Sequence, residues 1–165
     1  MAGVTLATAQ GRAAESQASQ LKKIFPAAAT FSPKGGEPPH FKAFSAEPAN
    51  PSQPAAGFAF WTTELQPLER GYDGPIKILV GMDPAGIISG IVVTDHREPY
   101  GYFSVDLPEF AAQFKGKSVR DPFKVGVDID AISRATISVM SATRAVRDSA
   151  RRVARSLLSP DAVKR

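Results

Sequence analysis

The chain has 165 residues, 43% of them hydrophobic and 22% charged, which suits one globular domain with a substantial core. With no cysteine it excludes disulfides, thiolate zinc sites, iron–sulfur clusters and a cysteine nucleophile. The net charge of +4 is a diffuse basic excess, and no apolar run approaches the ~18–20 residues of a membrane helix.

Residues 1–12 are predicted to be a disordered N-terminal segment. Val4–Gln10 is compatible with the remains of a trimmed export signal, although the basic start and long apolar centre of such a signal are lacking. Apolar residues at Ala14, Ala18, Leu21 and Phe25 predict a helix from Ala13 to Phe25, ended by Pro26. Residues 30–56 are rich in Pro, Gly and Ser and read as loop, interrupted by a short strand at Phe41–Phe44. Gly57–Thr63 alternates with period two and is predicted to be a strand, with Trp61 serving the core or covering the sheet. Tyr72-Asp73-Gly74-Pro75 is a tight turn. Ile76–Val80 and Ile87–Val93 form a hairpin across Met82-Asp83-Pro84-Ala85-Gly86.

His96 to Ser104 reads as a loop, and Leu107–Phe114 as a short helix with Asp106 as N-cap and Pro108 in its first turn. Lys115–Val127 is irregular or partly strand. The last helix is expected from Arg134 to Leu158, since Val139, Ala142, Val146, Ala150, Val153 and Leu157 trace one face. Arg144, Arg147, Arg151, Arg152 and Arg155 lie mostly off that face and are expected to be solvated, and Ser159-Pro160 stops the helix. The fold class is α+β: a mainly antiparallel twisted sheet with an N-terminal helix and a long C-terminal helix. One domain is expected over residues 13–158, followed by a tail at 159–165.

Little in the chain resembles a stand-alone catalyst. Asp128 and Asp130 have no visible acid–base partner. Ser89 and Ser104 lack a nucleophile elbow, and Gly81 to Gly90 is no dinucleotide fingerprint. His96 and Glu98, with His40 in a remote loop, form no metal set. The start of the last helix is more informative. Ser133 is a good N-cap there, which puts Thr136 in the first turn, where backbone N–H groups lack intrahelical acceptors and the helix dipole favours an anion such as phosphate. Taken alone, these residues suggest either an anion site or an ordinary cap.

Asp130-Ala131-Ile132-Ser133-Arg134-Ala135-Thr136 matches Asp-x-x-Ser-Gly-Ala-Thr at six of seven positions. That motif resembles the flavin attachment site of the FMN-binding domain family. Gly71-Tyr72-Asp73-Gly74-Pro75-Ile76 resembles the family's Gly-Tyr-x-Gly-x-Ile segment, Ile78 to Val93 its strand–turn–strand centre, and His96-Arg97-Glu98-Pro99 its His-x-Glu-Thr-Pro-Gly flavin loop. Lys22 to Phe31, with Ile24-Phe25-Pro26, is similar to the start of this domain in the membrane-anchored regulators of nitrous-oxide respiration. Together these pieces cover residues ~20–158.

The resemblance implies FMN joined through its phosphate to Thr136, with Ser133, Arg134, Ala135 and Ile137 around the attachment and Glu98, Pro99, Tyr100 and Gly101 in the flavin loop. Gly101 would let backbone approach the ring, and an aromatic would stack on it. Asp130 would serve recognition by the enzyme that attaches the flavin. Arg134 stands where the family has glycine. Because arginine does not take positive φ cheaply, the local backbone is expected to differ, with the guanidinium available to the phosphate or the flavin carbonyls. Relatives include flavin subunits of the sodium-pumping NADH:quinone oxidoreductase and of the Rnf electron-transport complex. The function implied is an electron-transfer domain relaying electrons between protein redox partners, more a redox-active carrier than a stand-alone enzyme. The alternative is an FMN-binding sensory or docking domain regulating a respiratory partner. The resemblance further implies a magnesium-dependent flavin transferase, a periplasmic location and association with a membrane complex. No nucleic-acid partner is expected, because the basic residues lack interleaved aromatics and share a helix whose other face is apolar.

Overall fold

The computed structural model describes residues 17–47 and 52–164. The expected disordered segment 1–12 lies outside them. Helix α1 is described over residues 17–24. Strands β1 (Thr30–Phe31), β2 (Phe41–Phe44), β3 (Gly57–Trp61), β4 (Lys77–Met82) and β5 (Ile88–Asp95) make one five-stranded sheet in the order β1-β2-β3-β4-β5, every pair antiparallel. Short helix α2 (Thr62–Leu65) follows β3. A 3-10 turn (Gly101–Phe103), α3 (Pro108–Ala112), the long α4 (Thr136–Leu157) and α5 (Pro160–Val163) follow the sheet. The expected α+β class with an antiparallel sheet and a long C-terminal helix holds.

β4 explains the layering. It is buried on both faces, so it needs cover on both sides. Ile78, Val80 and Met82 face the main core, where α4 supplies Val139, Ala142, Val146, Ala150 and Val153. Each fully buried valine, isoleucine or methionine there contributes roughly 1.5–3 kcal/mol, and each alanine less. Leu79 faces the other way, with Trp61, Ala59, Phe41 and the α1 residues Leu21 and Ile24. The side chain at position 81 must be absent: a Cβ on Gly81 would lie 2.0 Å from Ile24 Cγ2. Trp61 is therefore core, as expected, with Lys77 Nζ 4.4 Å from its ring centroid. Ala18, expected on the apolar stripe of α1, is exposed, and Ile24 takes its place.

The hairpin between β4 and β5 closes on Asp83, whose Oδ1 accepts from the N–H groups of Ala85 and Ile87, both at 2.9 Å, while Gly86 supplies φ +80°. Elsewhere the boundaries move for tertiary reasons. The strand expected through Thr63 ends at Trp61, because Thr62 turns inward. Its hydroxyl donates to Ile76 O at 3.2 Å and accepts from Ile78 N at 3.1 Å. Asp106 does not cap α3. Leu107 occupies that position without a side-chain bond, and Asp106 Oδ1 instead accepts from His96 Nε2 at 2.7 Å. The expected tail carries α5, with Val163 packed against the main core.

Of the α4 arginines, Arg155 is exposed as expected, but the other four are held in bonds. Arg144 grips Glu69 (2.8 Å) and Arg147 pairs with Asp148 (2.7 Å). Arg151 donates to Val119 O and Asp121 O, and Arg152 to Leu65 O and Glu37. A helix whose apolar face is spent on the sheet uses its polar face to hold the neighbouring loops.

Candidate functional site

The start of α4 is built by a turn and not by a cap. Ala135 N donates to Ile132 O at 3.1 Å, and Arg134 has φ +68°. Ser133, at the preceding position, is absent from the positive-φ residues, so Ile132–Ala135 has the type II pattern. Ser133 is consequently not the N-cap. Ala135 holds that place, with no side-chain cap bond, and α4 begins at Thr136. Arg134 adopts the left-handed conformation that glycine favours, so the expectation of a different backbone is corrected. The turn takes this conformation with an arginine in it. What holds it is packing on either side, where Ile132 packs against the main core and Ala135 is 3% exposed.

The first turn of α4 then divides inward from outward. Ser138 and Val139 are buried, while Thr136 and Ile137 are exposed. A cleft of about 510 Å³ opens beside the exposed pair, lined by Tyr72, Pro99, Tyr100 and Arg134 through Ser138. That volume lies within the range of small-molecule sites, roughly 300–1,000 Å³. Its mouth is aromatic, since Tyr72 is 70% and Tyr100 45% exposed, with Tyr100 packed against Phe103 at 5.3 Å between centroids. The cleft thus combines flat apolar walls, the uncapped N-terminus of a 22-residue helix, an exposed threonine hydroxyl and an arginine. These features fit a planar aromatic ligand carrying a phosphate.

Most of the residues singled out in the sequence meet here. Arg134, Ala135, Thr136, Ile137, Pro99 and Tyr100 line the cleft. Ser133 is exposed in the turn beside it and is not part of the lining. Gly101 is buried away from the cleft, and the close approach it permits is that of His96, since a Cβ there would lie 2.1 Å from His96 Cε1. His96 Nδ1 accepts from Glu98 N at 3.0 Å, so Nε2 carries the proton shared with Asp106.

Glu98 is 6% exposed and its carboxylate points into the protein. Oε1 accepts from Asp73 N (2.9 Å), and Oε2 accepts from Tyr72 N (2.9 Å) and from the Ser138 hydroxyl. Burial raises its pKa, but the bonds from Ser138, Asp73 N and Tyr72 N and the nearby His96 outweigh that and hold the carboxyl below its ordinary value. Tyr72 and Ser138 are cleft residues that sequence reasoning missed. In the sequence Tyr72 reads as part of a turn and of the Gly-Tyr-x-Gly-x-Ile segment, and nothing in local periodicity links it to residues 26 and 66 positions away.

Comparison with known proteins agrees with this geometry. The family model of the FMN-binding domain matches residues 71–151, which include both cleft walls and the start of α4. Residues 71–151 are thus an FMN-binding domain, and the chain binds FMN through it. It is 25% identical over 166 residues to the regulatory protein NosR of Pseudomonas aeruginosa, a match covering 93% of this chain and 22% of NosR. It is 32% identical over 88 residues to one component of the ion-translocating oxidoreductase complex of Vibrio vulnificus, covering 47% of this chain and 42% of that component. The match thus spans less than half the length of either relative.

Proposed function

We propose that the chain is an electron-transfer domain in which FMN is joined by a phosphoester to Thr136 and relays electrons between protein partners. The observation that carries this is the position of Thr136: exposed, first in α4, and opening on the cleft between Tyr72 and Tyr100. The first N–H groups of α4 and the helix dipole favour a phosphate beside that hydroxyl. Tyr72, Pro99 and Tyr100 offer flat cover for a ring. Glu98 holds those walls without itself facing the ligand. Bound FMN supplies the redox chemistry, while the protein supplies position and electrostatics. A tethered carrier does not diffuse away, which suits a relay better than a turnover enzyme.

Attachment requires a separate magnesium-dependent flavin transferase acting on the Asp130–Thr136 motif. The similarity to a component of an oxidoreductase complex supports protein redox partners at a membrane complex, and a periplasmic site of action is part of the same proposal. The test is the intact mass of denatured protein made with and without a transferase. The expected outcome is an increase of one FMN less one water, present only with the enzyme and absent in Thr136→Ala. An unmodified mass after co-expression overturns covalent attachment.

A second reading is favoured by the relative that covers nearly the whole chain, which is named as a regulatory protein. On that reading the domain holds FMN without an ester and signals to a respiratory partner. Flavin released by acid precipitation would decide for it.

A further inference from the structure

Glu98 has no contact with the cleft's interior, yet the three segments that form the cleft converge on it. Its oxygens bind the N–H groups of Tyr72 and Asp73 from the turn before β4 and the Ser138 hydroxyl from the first turn of α4. Its chain neighbours, Pro99 and Tyr100, are the other wall. Gly71 is shaped around it, since a Cβ there would come within 2.6 Å of Oε1. We propose that Glu98 is the positioning residue of the flavin cleft: its ionised carboxylate fixes both aromatic walls against the helix that bears Thr136, and so couples the flavin's surroundings to pH. This rests on the cleft being the flavin site, but not on the ester to Thr136.

The coupling follows from what the carboxylate must do. Ionised, it is an acceptor only and matches three donors; protonated, it gains a hydrogen that none of the three can accept except the Ser138 hydroxyl after it rotates. The remaining bonds fall from charge-assisted to neutral, roughly halving their strength. Other charges face the same place. His96 lies against the backbone N–H of Glu98 and is paired with Asp106. Arg97 and Arg70 come within 3.2 Å and 3.8 Å of where a Cβ on Gly74 would stand. Arg134 borders the cleft beside Ser138, and Asp73 carries its own carboxylate in the turn. All of these groups persist in a Glu98 variant, so an acid step lost there belongs to Glu98.

The sign is that of a depressed carboxyl. The tether is complete above the ordinary value of 4.5 and is lost as pH falls below that through the folded-state value. The experiment uses FMN-loaded protein, its flavin attachment recorded by intact mass, and compares wild type with Glu98→Gln and Ser138→Ala. Two signals are followed from pH 7 to pH 3: the visible circular dichroism of the flavin, and hydrogen exchange at the Tyr72 and Asp73 amides. The second is repeated on flavin-free protein. In wild type both signals should change together below pH 4.5, before far-UV dichroism reports unfolding. In Glu98→Gln the two amides should exchange about tenfold faster or more at pH 7, with altered flavin dichroism and no further acid step. Ser138→Ala removes one donor and keeps the carboxylate, so its acid step should move to higher pH, which serves should Glu98→Gln fail to fold. Wild-type dichroism and an unchanged acid step in Glu98→Gln, or an unmoved step in Ser138→Ala, overturns the proposal. Loss of the ester alone leaves the amide signals intact and counts only against Thr136.

Discussion

Replacing Arg134 with glycine should make the flavin-free protein more stable, although it deletes a whole side chain. Arg134 sits at φ +68° in the third position of the Ile132–Ala135 turn, where a type II turn calls for glycine. An L-residue with a Cβ is disfavoured there by about 1–2 kcal/mol. Glycine returns about 0.4–1 kcal/mol of that through the larger entropy of its unfolded chain. The net expectation is a gain of about 0.5–1 kcal/mol, with no ion pair among the described residues to lose. In a urea titration that is a midpoint shift of a few tenths molar, given slopes of ~1–3 kcal/mol/M. By heat it is ~2–4 °C per kcal/mol for a chain of this size. Arg134→Ala is the control. It removes the guanidinium but keeps the Cβ, and should show no such gain. With FMN bound the arginine lies beside the expected phosphate, where a charge-assisted bond is worth ~1.5–3 kcal/mol, so the advantage of glycine should shrink or reverse. A flavin-free Arg134→Gly protein no more stable than wild type would refute the strain argument, as would an equal gain in Arg134→Ala.

Other perturbations test the frame around the cleft. Gly81→Ala places a methyl 2.0 Å from Ile24 Cγ2 and 3.0 Å from two Phe25 ring atoms, so α1 must lift off the sheet. A loss of roughly 1–3 kcal/mol is expected in chemical denaturation, with faster amide exchange in α1. Thr62→Val keeps the shape but strands Ile76 O and Ile78 N, and should cost about 1–3 kcal/mol by the same assay. Asp128 holds the loop containing Phe123 (φ +48°) by accepting from Phe123 N at 3.0 Å, Lys124 N at 2.6 Å and Lys117 Nζ at 3.1 Å. Burial raises its pKa, but these bonds and the Lys117 charge outweigh it and keep the carboxyl below its ordinary 3.8. Its stabilisation is therefore present above that value and lost as pH falls through the folded-state value. Asp128→Asn should lower stability near neutral pH and flatten the acid limb of the stability profile, measured by denaturation at several pH values.

Where local pattern and tertiary demand coincide, the chain could be read directly. The valines and alanines of α4 recur at helical spacing because one face must cover β4, and β4 and β5 are apolar because both sides of the sheet are covered. The reading faltered where a distant group overrides a local preference. Period two runs on through Thr62 and Thr63, but the hydroxyl of Thr62 is drawn to Ile76 and Ile78 and ends the strand. Ser133 is a better cap than Ala135 by propensity, yet the turn fixed by Ile132 and Ala135 starts the helix later. β1, two residues long, has no period to detect, and only its pairing with β2 creates it.

The cleft follows the same logic at longer range. The motif at residues 130–136 reveals the hydroxyl and the helix start because both are local. The walls are not local: Tyr72 and Ser138 reach each other through one carboxylate, 26 residues from the first and 40 from the second. A buried glutamate in a loop has no sequence pattern of its own, so Glu98 reads equally well as a ligand contact or as a brace. Burial separates the two, because an exposed glutamate could turn towards a ligand at little cost, whereas this one would strand two backbone N–H groups and a hydroxyl by turning. The strain at Arg134 and the brace at Glu98 then act on the same helix start from opposite sides. One costs stability to keep the turn beside Thr136, and the other uses a buried charge to hold the facing wall in register with it.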